Sequence, residues 1–157
     1  MVEVRVESML PCAPEAAWAE VQKSSLLLEV ARPLVAIRPV GALALPERWE
    51  RNQVHLVRPF LFGVVPLGTR ILFFERVDHE RRQIQTREND PLVRNWDHLI
   101  AVGESIDGQA IYSDRIRIEA GVLTPAVWLF AHCFYRYRQR RWRRIATRLA
   151  AKEGVME

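Results

Sequence analysis

The segment from Leu92 to Ala120 constrains the fold of this chain most, because two long alternating stretches flank an Asp107-Gly108 turn there. Side chains of one parity in the first stretch are Trp96, His98, Ile100 and Val102. Side chains of one parity in the second are Tyr112, Asp114, Ile116 and Ile118. Such alternation predicts two strands with one covered face each. Each strand therefore places one ionisable side chain, His98 or Asp114, where a polar group needs a partner or a ligand.

Turn and cap signals organise the chain before this hairpin. Valines that alternate with charged residues predict a first strand ending at Pro11, and Pro14 suits the first turn of a short helix. A second short helix, capped by Ser24 or Ser25, should end before Pro33. Further strands are predicted near residues 34–40, 48–59, 69–77 and 81–88, with breaks or bulges at Pro59 and in the interval Gly63–Gly68.

The last part of the chain reads as one long amphipathic helix. Thr124 should cap this helix, which begins at Pro125 and continues to about Ala151. Its apolar stripe has spacings of three and four and comprises Trp128, Ala131, Tyr135, Trp142, Ile145 and Leu149. Arg138 is the one interruption of that stripe. A helix of this length can cross a whole sheet, so the sequence predicts sheet-on-helix packing.

The length and composition of the chain predict a single domain that spans residues 1–157. Apolar and charged fractions of 49% and 27% are typical of globular chains and argue against disorder. The N-terminus carries alternating charges without a signal-peptide core, and the longest uncharged run, 121–135, is too short for a membrane span. We therefore expect a cytoplasmic protein in which Cys12 and Cys133 are buried thiols, without a disulfide or a cysteine zinc site.

The order of predicted elements resembles the START-like helix-grip fold of the SRPBCC superfamily, over essentially the whole chain. The residues that carry the resemblance are Val4-Arg5-Val6-Glu7, Pro14-Glu15-Ala16-Ala17-Trp18, Trp96-Asp97-His98 and Tyr112-Ser113-Asp114-Arg115-Ile116. The resemblance implies an α+β fold in which a seven-stranded antiparallel sheet wraps around the long C-terminal helix, with two short helices after strand one. It also implies a hydrophobic cavity for a small molecule between sheet and helix, and leaves the content of that cavity open.

His98 and Asp114 form the sharpest candidate site. If the hairpin turn has three residues, His98 lies opposite Ile116 and Asp114 lies opposite Ile100. The two side chains are then diagonal neighbours, roughly 7–8 Å apart at the backbone. A carboxylate there would fix the imidazole tautomer, as a general base acting on a ketone or ester needs. The alternative is that the pair satisfies itself under the helix, or that Asp114 anchors a loop or an arginine.

Other side chains extend this candidate site into a ligand pocket. Predicted ligand-binding residues are Trp96, His98, Tyr112, Asp114, Trp128, His132, Tyr135, Phe60 and Phe62. His132 has a second interpretation as a partly buried structural residue of the helix. The four histidines lack metal-ligand spacing, and the chain has no nucleophile elbow or phosphate loop, so we predict neither a metal nor a cofactor.

Basic residues concentrate in the final helix, which has seven arginines from Arg136 onward. Those that would permit weak contact with an anionic membrane surface are Arg136, Arg140, Arg141, Arg143 and Arg144. A solvated outer helix face is the other interpretation of this run, and we do not expect nucleic acid as a partner.

Three functions are compatible with these patterns. The first is non-catalytic binding or carriage of a small hydrophobic molecule, such as a lipid, an isoprenoid or a polyketide-like aromatic. The alternative is an enzyme of the polyketide cyclase or aromatase type that uses His98 with Asp114. A third is an adaptor at a membrane surface or on nucleic acid, acting through the arginine-rich helix. The absence of a recognisable nucleophile or metal motif favours the first.

Overall fold

A computed structural model describes residues 1–41 and 44–155, and its elements follow the predicted order. The strands are β1 (Val2–Leu10), β2 (Val35–Pro39), β3 (Gln53–Leu61), β4 (Val65–Pro66), β5 (Arg70–Asp78), β6 (Gln83–Asn89), β7 (Asn95–Glu104) and β8 (Ala110–Glu119). The helices are α1 (Pro14–Val21), α2 (Ser24–Ala31) and α3 (Thr124–Val155), and a 3₁₀ turn at Gly121–Leu123 precedes α3.

The strands build a curled antiparallel sheet in the order β1-β8-β7-β6-β5-β3-β2, and β4 pairs beside the end of β3. Helix α3 packs into the concave side of this sheet, chiefly on the edge strand β1. The short helices α1 and α2 follow β1 directly. The predicted α+β helix-grip fold, with seven main strands and one long C-terminal helix, is confirmed.

The β7–β8 hairpin has the register that the sequence predicts. His98 pairs with Ile116, and Ile100 pairs with Asp114. Gly108 in the turn has a φ of 77°, which glycine adopts without a side-chain clash. Because side chains alternate along a strand, this register puts His98 and Asp114 on the same covered face.

Helix α3 buries a wider stripe than the apolar pattern predicts. Its buried side chains are Ala131, Phe134, Tyr135, Arg138, Gln139, Trp142, Ile145 and Ala146. These positions keep spacings of three and four and therefore share one side of the helix. Arg138, the interruption in the sequence pattern, belongs to the buried side and is only 7% exposed.

The predicted helix cap and one of the thiols need correction. Lys23 is the N-cap of α2, and Ser24 is already helical. A serine cap is not needed, because the Ser24 N–H donates to the Glu47 carbonyl at 3.2 Å. Cys12 is buried as predicted, whereas Cys133 is exposed because it lies on the outer side of α3.

Pro59 lies within β3 and does not break it, contrary to the prediction. The pairing of β3 with β5 ends at Val57, so the missing N–H of Pro59 leaves no gap in that ladder. The chain then reverses near Gly63, whose φ is 76°, as the glycines of this interval suggest. The bulge of the sheet lies in β5, between Phe74 and Arg76.

Candidate functional site

A cavity of about 120 Å³ lies between the concave face of the sheet and α3. Its apolar wall consists of Val21, Leu26, Leu27, Val35, Ile37, Trp49, Val57, Pro59, Leu67, Leu72, Phe74, Ile84, Trp96, Ile100, Phe130 and Phe134. Its polar and ionisable wall residues are Arg70, Thr86, Glu88, His98, Tyr112, Tyr135 and Arg138. The cavity is therefore mainly apolar, with a small number of polar groups, as is usual for a small-molecule site.

Asp114 lies directly behind this wall and is completely buried. Its Oδ1 accepts hydrogen bonds from His98 Nε2 at 2.7 Å and from the Tyr112 hydroxyl at 3.0 Å. Its Oδ2 accepts one from Gln139 Nε2 at 3.0 Å. Burial alone would raise the pKa of Asp114, but the bond from His98 and the charge of Arg138 hold that pKa below its ordinary value. The carboxylate is thus ionised and fully engaged.

Gln139 ties the carboxylate to the edge strand β1. Its amide nitrogen also donates to the Val6 carbonyl at 2.8 Å, and its amide oxygen accepts a hydrogen bond from the Ser8 hydroxyl. All three polar contacts of this amide therefore lie within the protein. The arrangement joins α3, β1 and β8 around one buried charge.

The other imidazole nitrogen faces Tyr135. Tyr135 Oη lies 3.4 Å from His98 Nδ1, and Trp96 Nε1 donates to the same hydroxyl at 3.2 Å. The Tyr135 oxygen accepts from the Trp96 indole N–H, and its own proton can be donated to Nδ1 when the imidazole is neutral. In a neutral imidazole this assigns the remaining proton to Nε2, which donates to Asp114.

This chain of hydrogen bonds determines which chemistry is within reach of the cavity. Both nitrogens of His98 are engaged, so the imidazole has no free lone pair for a ligand proton. Burial raises the pKa of Tyr135 and keeps its phenol protonated. A ligand would meet a hydroxyl that is held by Trp96 and His98, with Asp114 behind them. Proton abstraction by His98 would first require displacement of the Tyr135 hydroxyl.

The structure brings four of the predicted ligand-binding residues into the cavity wall. They are Trp96, His98, Tyr112 and Tyr135. Asp114 shares their face but lies behind His98, at one remove from the cavity. Their role in binding a ligand remains a prediction.

Trp128 and His132 lie outside the cavity wall, and their predicted place there is corrected. The Trp128 indole N–H donates to the Glu3 carbonyl at 3.2 Å, and the His132 ring stacks on Trp128 with 5.3 Å between ring centroids. Both share the side of α3 that lies on β1, whereas the cavity adjoins the side that carries Phe134 and Arg138. The inward-facing side of α3 is therefore divided between contact with β1 and the wall of the cavity.

Phe60 and Phe62 also lie outside the cavity. Val57 and Pro59 face inward from β3, so the alternation of the strand turns Phe60 to the other face. There the Arg38 guanidinium lies 4.5 Å from the centre of the Phe60 ring. Phe62 follows the end of β3 in the turn and is 63% exposed.

The polar part of the cavity wall includes Arg70, Glu88 and Arg138, which are not among the predicted ligand-binding residues. Arg70 and Glu88 come from neighbouring strands, 3.5 Å apart, and Arg70 also binds Asp90 at 2.6 Å. Arg138 comes from α3, and its neighbour Gln139 lies behind the wall, where it binds Asp114. Arg138 had a usable signal, since a charged residue at an otherwise apolar helical position must be buried or must end the stripe. No comparable signal marks Gln139.

The basic face of α3 is separate from the cavity. Its exposed arginines are Arg136, Arg140, Arg143, Arg144 and Arg148, and Arg141 is half-buried and donates to the Tyr137 hydroxyl. Within residues 1–41 and 44–155, no helix combines the length and hydropathy of a membrane span, and no cluster of His, Cys, Asp or Glu has the makings of a metal site. Contact of these arginines with an anionic surface stays a prediction.

Comparison with solved structures identifies the fold. The START superfamily protein from Mycobacterium smegmatis matches with a TM-score of 0.65 at 11% identity, over 94% of this chain and 98% of that one. The chain has the START-like helix-grip fold.

Two further solved structures match at similarly low identity. Protein TTHA0849 from Thermus thermophilus has a TM-score of 0.67 at 9% identity, over 95% of this chain and 99% of that one. Protein CV1439 from Chromobacterium violaceum has a TM-score of 0.72 at 10% identity, over 92% of this chain and 96% of that one. No protein-family model and no curated protein matches the sequence. The likeness therefore extends to the fold, and the site has to be argued from its own residues.

Proposed function

We propose that this chain binds a small, largely apolar molecule in the cavity between the sheet and α3. The observation that carries the proposal is the cavity itself, because it combines a mostly apolar wall with a few buried polar groups. A cavity of roughly 150 Å³ lined by apolar side chains binds benzene in an engineered protein. The 120 Å³ found here therefore suits a group about as large as one aromatic ring or a short alkyl chain.

A cavity-filling substitution tests this proposal. Leu72 is buried and lines the cavity, whereas its neighbour Ile71 is 37% exposed on the opposite side of β5. We expect Leu72→Trp to weaken the binding of benzyl alcohol, 1-octanol and geraniol at least tenfold, because the indole occupies their volume. Titration followed by intrinsic tryptophan fluorescence gives the affinities, since Trp49 and Trp96 line the cavity, and native mass spectrometry of the purified protein reveals a retained ligand.

Ile71→Trp is the matched control, since it adds the same side chain outside the cavity. Circular dichroism verifies that both variants keep the wild-type fold. Equal affinities for the two variants would place the binding site elsewhere. Absence of binding of all three probes to the wild-type protein, together with no co-purified molecule, would count against the proposal as a whole.

A second candidate function is proton-transfer catalysis, and it is favoured by one observation. Asp114, His98 and Tyr135 form a continuous hydrogen-bonded chain that ends in the cavity wall. Such a chain can take up a substrate proton at the Tyr135 oxygen while the phenol proton passes to His98 Nδ1. This candidate requires a substrate that displaces or engages the Tyr135 hydroxyl.

The variant His98→Ala separates the two functions. In a binding protein it should weaken affinity by about 0.5–1.5 kcal/mol, because apolar burial supplies most of the binding energy. In an enzyme it should lower turnover by roughly 10²–10⁴ at nearly unchanged affinity. Both quantities should be measured on one sample, with a thermal unfolding curve to verify that it is folded. A large loss of turnover alone would favour catalysis.

A further inference from the structure

Arg138 places a buried guanidinium in the cavity wall, without a hydrogen-bond partner among residues 1–41 and 44–155. The residue is only 7% exposed, and it lines the cavity beside Tyr135 and Phe134. Its Nε has no hydrogen-bond partner, and in residues 1–41 and 44–155 no carboxylate forms an ion pair with it. The guanidinium carbon lies 4.9 Å from the Tyr135 ring centre and 5.6 Å from that of Phe134. The rings attract the cation but offer no acceptor for its five N–H groups.

Arg70, in the same cavity wall, is an arginine whose hydrogen bonds are made within the protein. It donates to Asp90 at 2.6 and 3.0 Å and lies 3.5 Å from Glu88. It therefore has fixed acceptors inside the protein. Arg138 has none in the part of the chain that the structure describes, although an arginine cannot lose its proton to escape the cost of burial. This difference between the two arginines suggests that a bound ligand supplies the hydrogen-bond acceptor of Arg138.

The nearby carboxylates are already committed to other donors. Asp114 accepts three hydrogen bonds, and Glu88 accepts one from the Thr86 hydroxyl at 2.8 Å and one from Arg70. Burial alone would lower the pKa of Arg138, but the surrounding negative charges, that of Asp114 above all, keep this pKa above its ordinary value. The carboxylates stabilise the cation at a distance and leave its N–H groups unused.

We propose that Arg138 recognises a carboxylate group on the small apolar ligand of the cavity. This inference rests on the proposed function. A guanidinium presents paired N–H donors that match the two oxygens of a carboxylate. Arg70 is paired with Asp90 and Glu88, so Arg138 is the charged side chain of the wall whose N–H donors are left for a ligand. A phosphate dianion would bring a second negative charge close to Glu88 and Asp114, which a carboxylate does not. The ligand class is therefore a small aromatic or short-chain aliphatic acid.

Paired acids and alcohols provide the test. The probes are 3-phenylpropionate with 3-phenyl-1-propanol, and octanoate with 1-octanol, titrated by calorimetry at pH 7.5, where both acids are ionised. Wild-type protein should bind each acid at least tenfold more tightly than its alcohol. Arg138→Met should weaken binding of the acids roughly 10- to 100-fold, the usual effect of hydrogen bonds to a charged group. It should leave the alcohols within about threefold.

Arg140→Met is the matched control, because it removes the same charge from the exposed side of α3, and it should bind every probe like wild type. Arg138→Lys keeps the charge but loses the paired donors, and its loss for the acids should be intermediate. The unfolding temperature of ligand-free Arg138→Met should equal or exceed that of wild type, since no internal hydrogen bond is lost. If Arg138→Met does not fold, the wild-type preference and Arg138→Lys decide the matter.

The outcomes separate this inference from the proposed function. If wild-type protein binds alcohols as tightly as acids, Arg138 is not a carboxylate site, and the apolar cavity site stands. If Arg138→Met weakens acids and alcohols equally and lowers the unfolding temperature, Arg138 is a structural residue and the inference is wrong. If neither acids nor alcohols bind wild type, the proposed function itself fails, and the inference fails with it.

Discussion

Two buried charges lie in the interior of this START-like fold, and their surroundings differ. Asp114 is completely buried and accepts hydrogen bonds from three side chains. Arg138 is almost as buried and makes no hydrogen bond or ion pair within the part of the chain that the structure describes. A buried charge with all its hydrogen-bond partners can stabilise the fold. A buried charge without them lowers the free energy of unfolding, because its desolvation is not compensated. Asp114 and its three donors therefore support the fold, whereas Arg138 faces the proposed ligand site.

Consecutive residues of α3 produce this difference. Gln139 turns toward β1 and completes the hydrogen bonds of Asp114, while Arg138 turns toward the cavity. One helical step is about 100° of rotation, so neighbours on a helix face different surroundings. The sheet closes tightly against α3 at β1 and leaves a space on the side of Phe134. The polar cluster lies at the closed side, and the unpaired cation lies at the open side.

The largest effect is expected from removal of the Asp114 carboxylate. Asp114→Ala should lower the free energy of unfolding by about 3–5 kcal/mol, because it strands the buried donors of His98, Tyr112 and Gln139. Urea denaturation followed by circular dichroism measures this loss. Asp97→Ala is the control, since Asp97 pairs with Arg87 on the outer face of the sheet, and its loss should cost at most about 1 kcal/mol. Similar losses for both variants would show that the buried cluster does not support the fold.

The next largest effect is a decrease in the free energy of unfolding at low pH. The folded pKa of Asp114 is lower than the ordinary value near 3.9, so its contribution is complete above that value and is lost as pH falls through the folded pKa. Asp114→Asn has no proton to gain. The stability difference between wild type and Asp114→Asn should therefore shrink below about pH 4, where Asp114 of the wild type takes up a proton. Urea titrations above and below this pH measure it, and a difference that does not change with pH would contradict the assignment.

The smallest effect concerns the hydroxyl at the boundary between the two regions. Tyr135→Phe removes one acceptor from Trp96 and one donor to His98, and both hydrogen bonds are long, at 3.2 and 3.4 Å. We expect a loss of about 0.5–1.5 kcal/mol in the free energy of unfolding, measured by thermal and urea unfolding. Tyr137→Phe is the control, because the Tyr137 hydroxyl makes its two hydrogen bonds at the protein surface, donating to the Arg32 carbonyl and accepting from Arg141. Its effect should stay within about 0.5 kcal/mol. An equal loss in both variants would remove Tyr135 from the buried network.

Sequence patterns predicted the hairpin that carries His98 and Asp114 down to its register. A period of two and a short glycine turn leave little freedom, because a shift by one residue would expose the whole apolar face. The same alternation indicated that Trp96 and Tyr112 share the covered face. It failed for Phe60, since the strand parity of β3 becomes clear only once Val57 and Pro59 are known to face inward.

The sequence by itself determined the strands, the long helix and the pairing that sets His98 beside Asp114, because local periodicity and turn geometry act over short separations. Tertiary structure alone decided how the buried side of α3 is divided between β1 and the cavity. That division depends on where a curled sheet touches the helix, and no local period encodes it. It turned Trp128 and His132 toward the edge strand, and it made a cavity residue of Arg138, which the pattern shows only as an interruption. Residues close together in the sequence determine the strands and helices, whereas contacts between residues far apart in the sequence form the site.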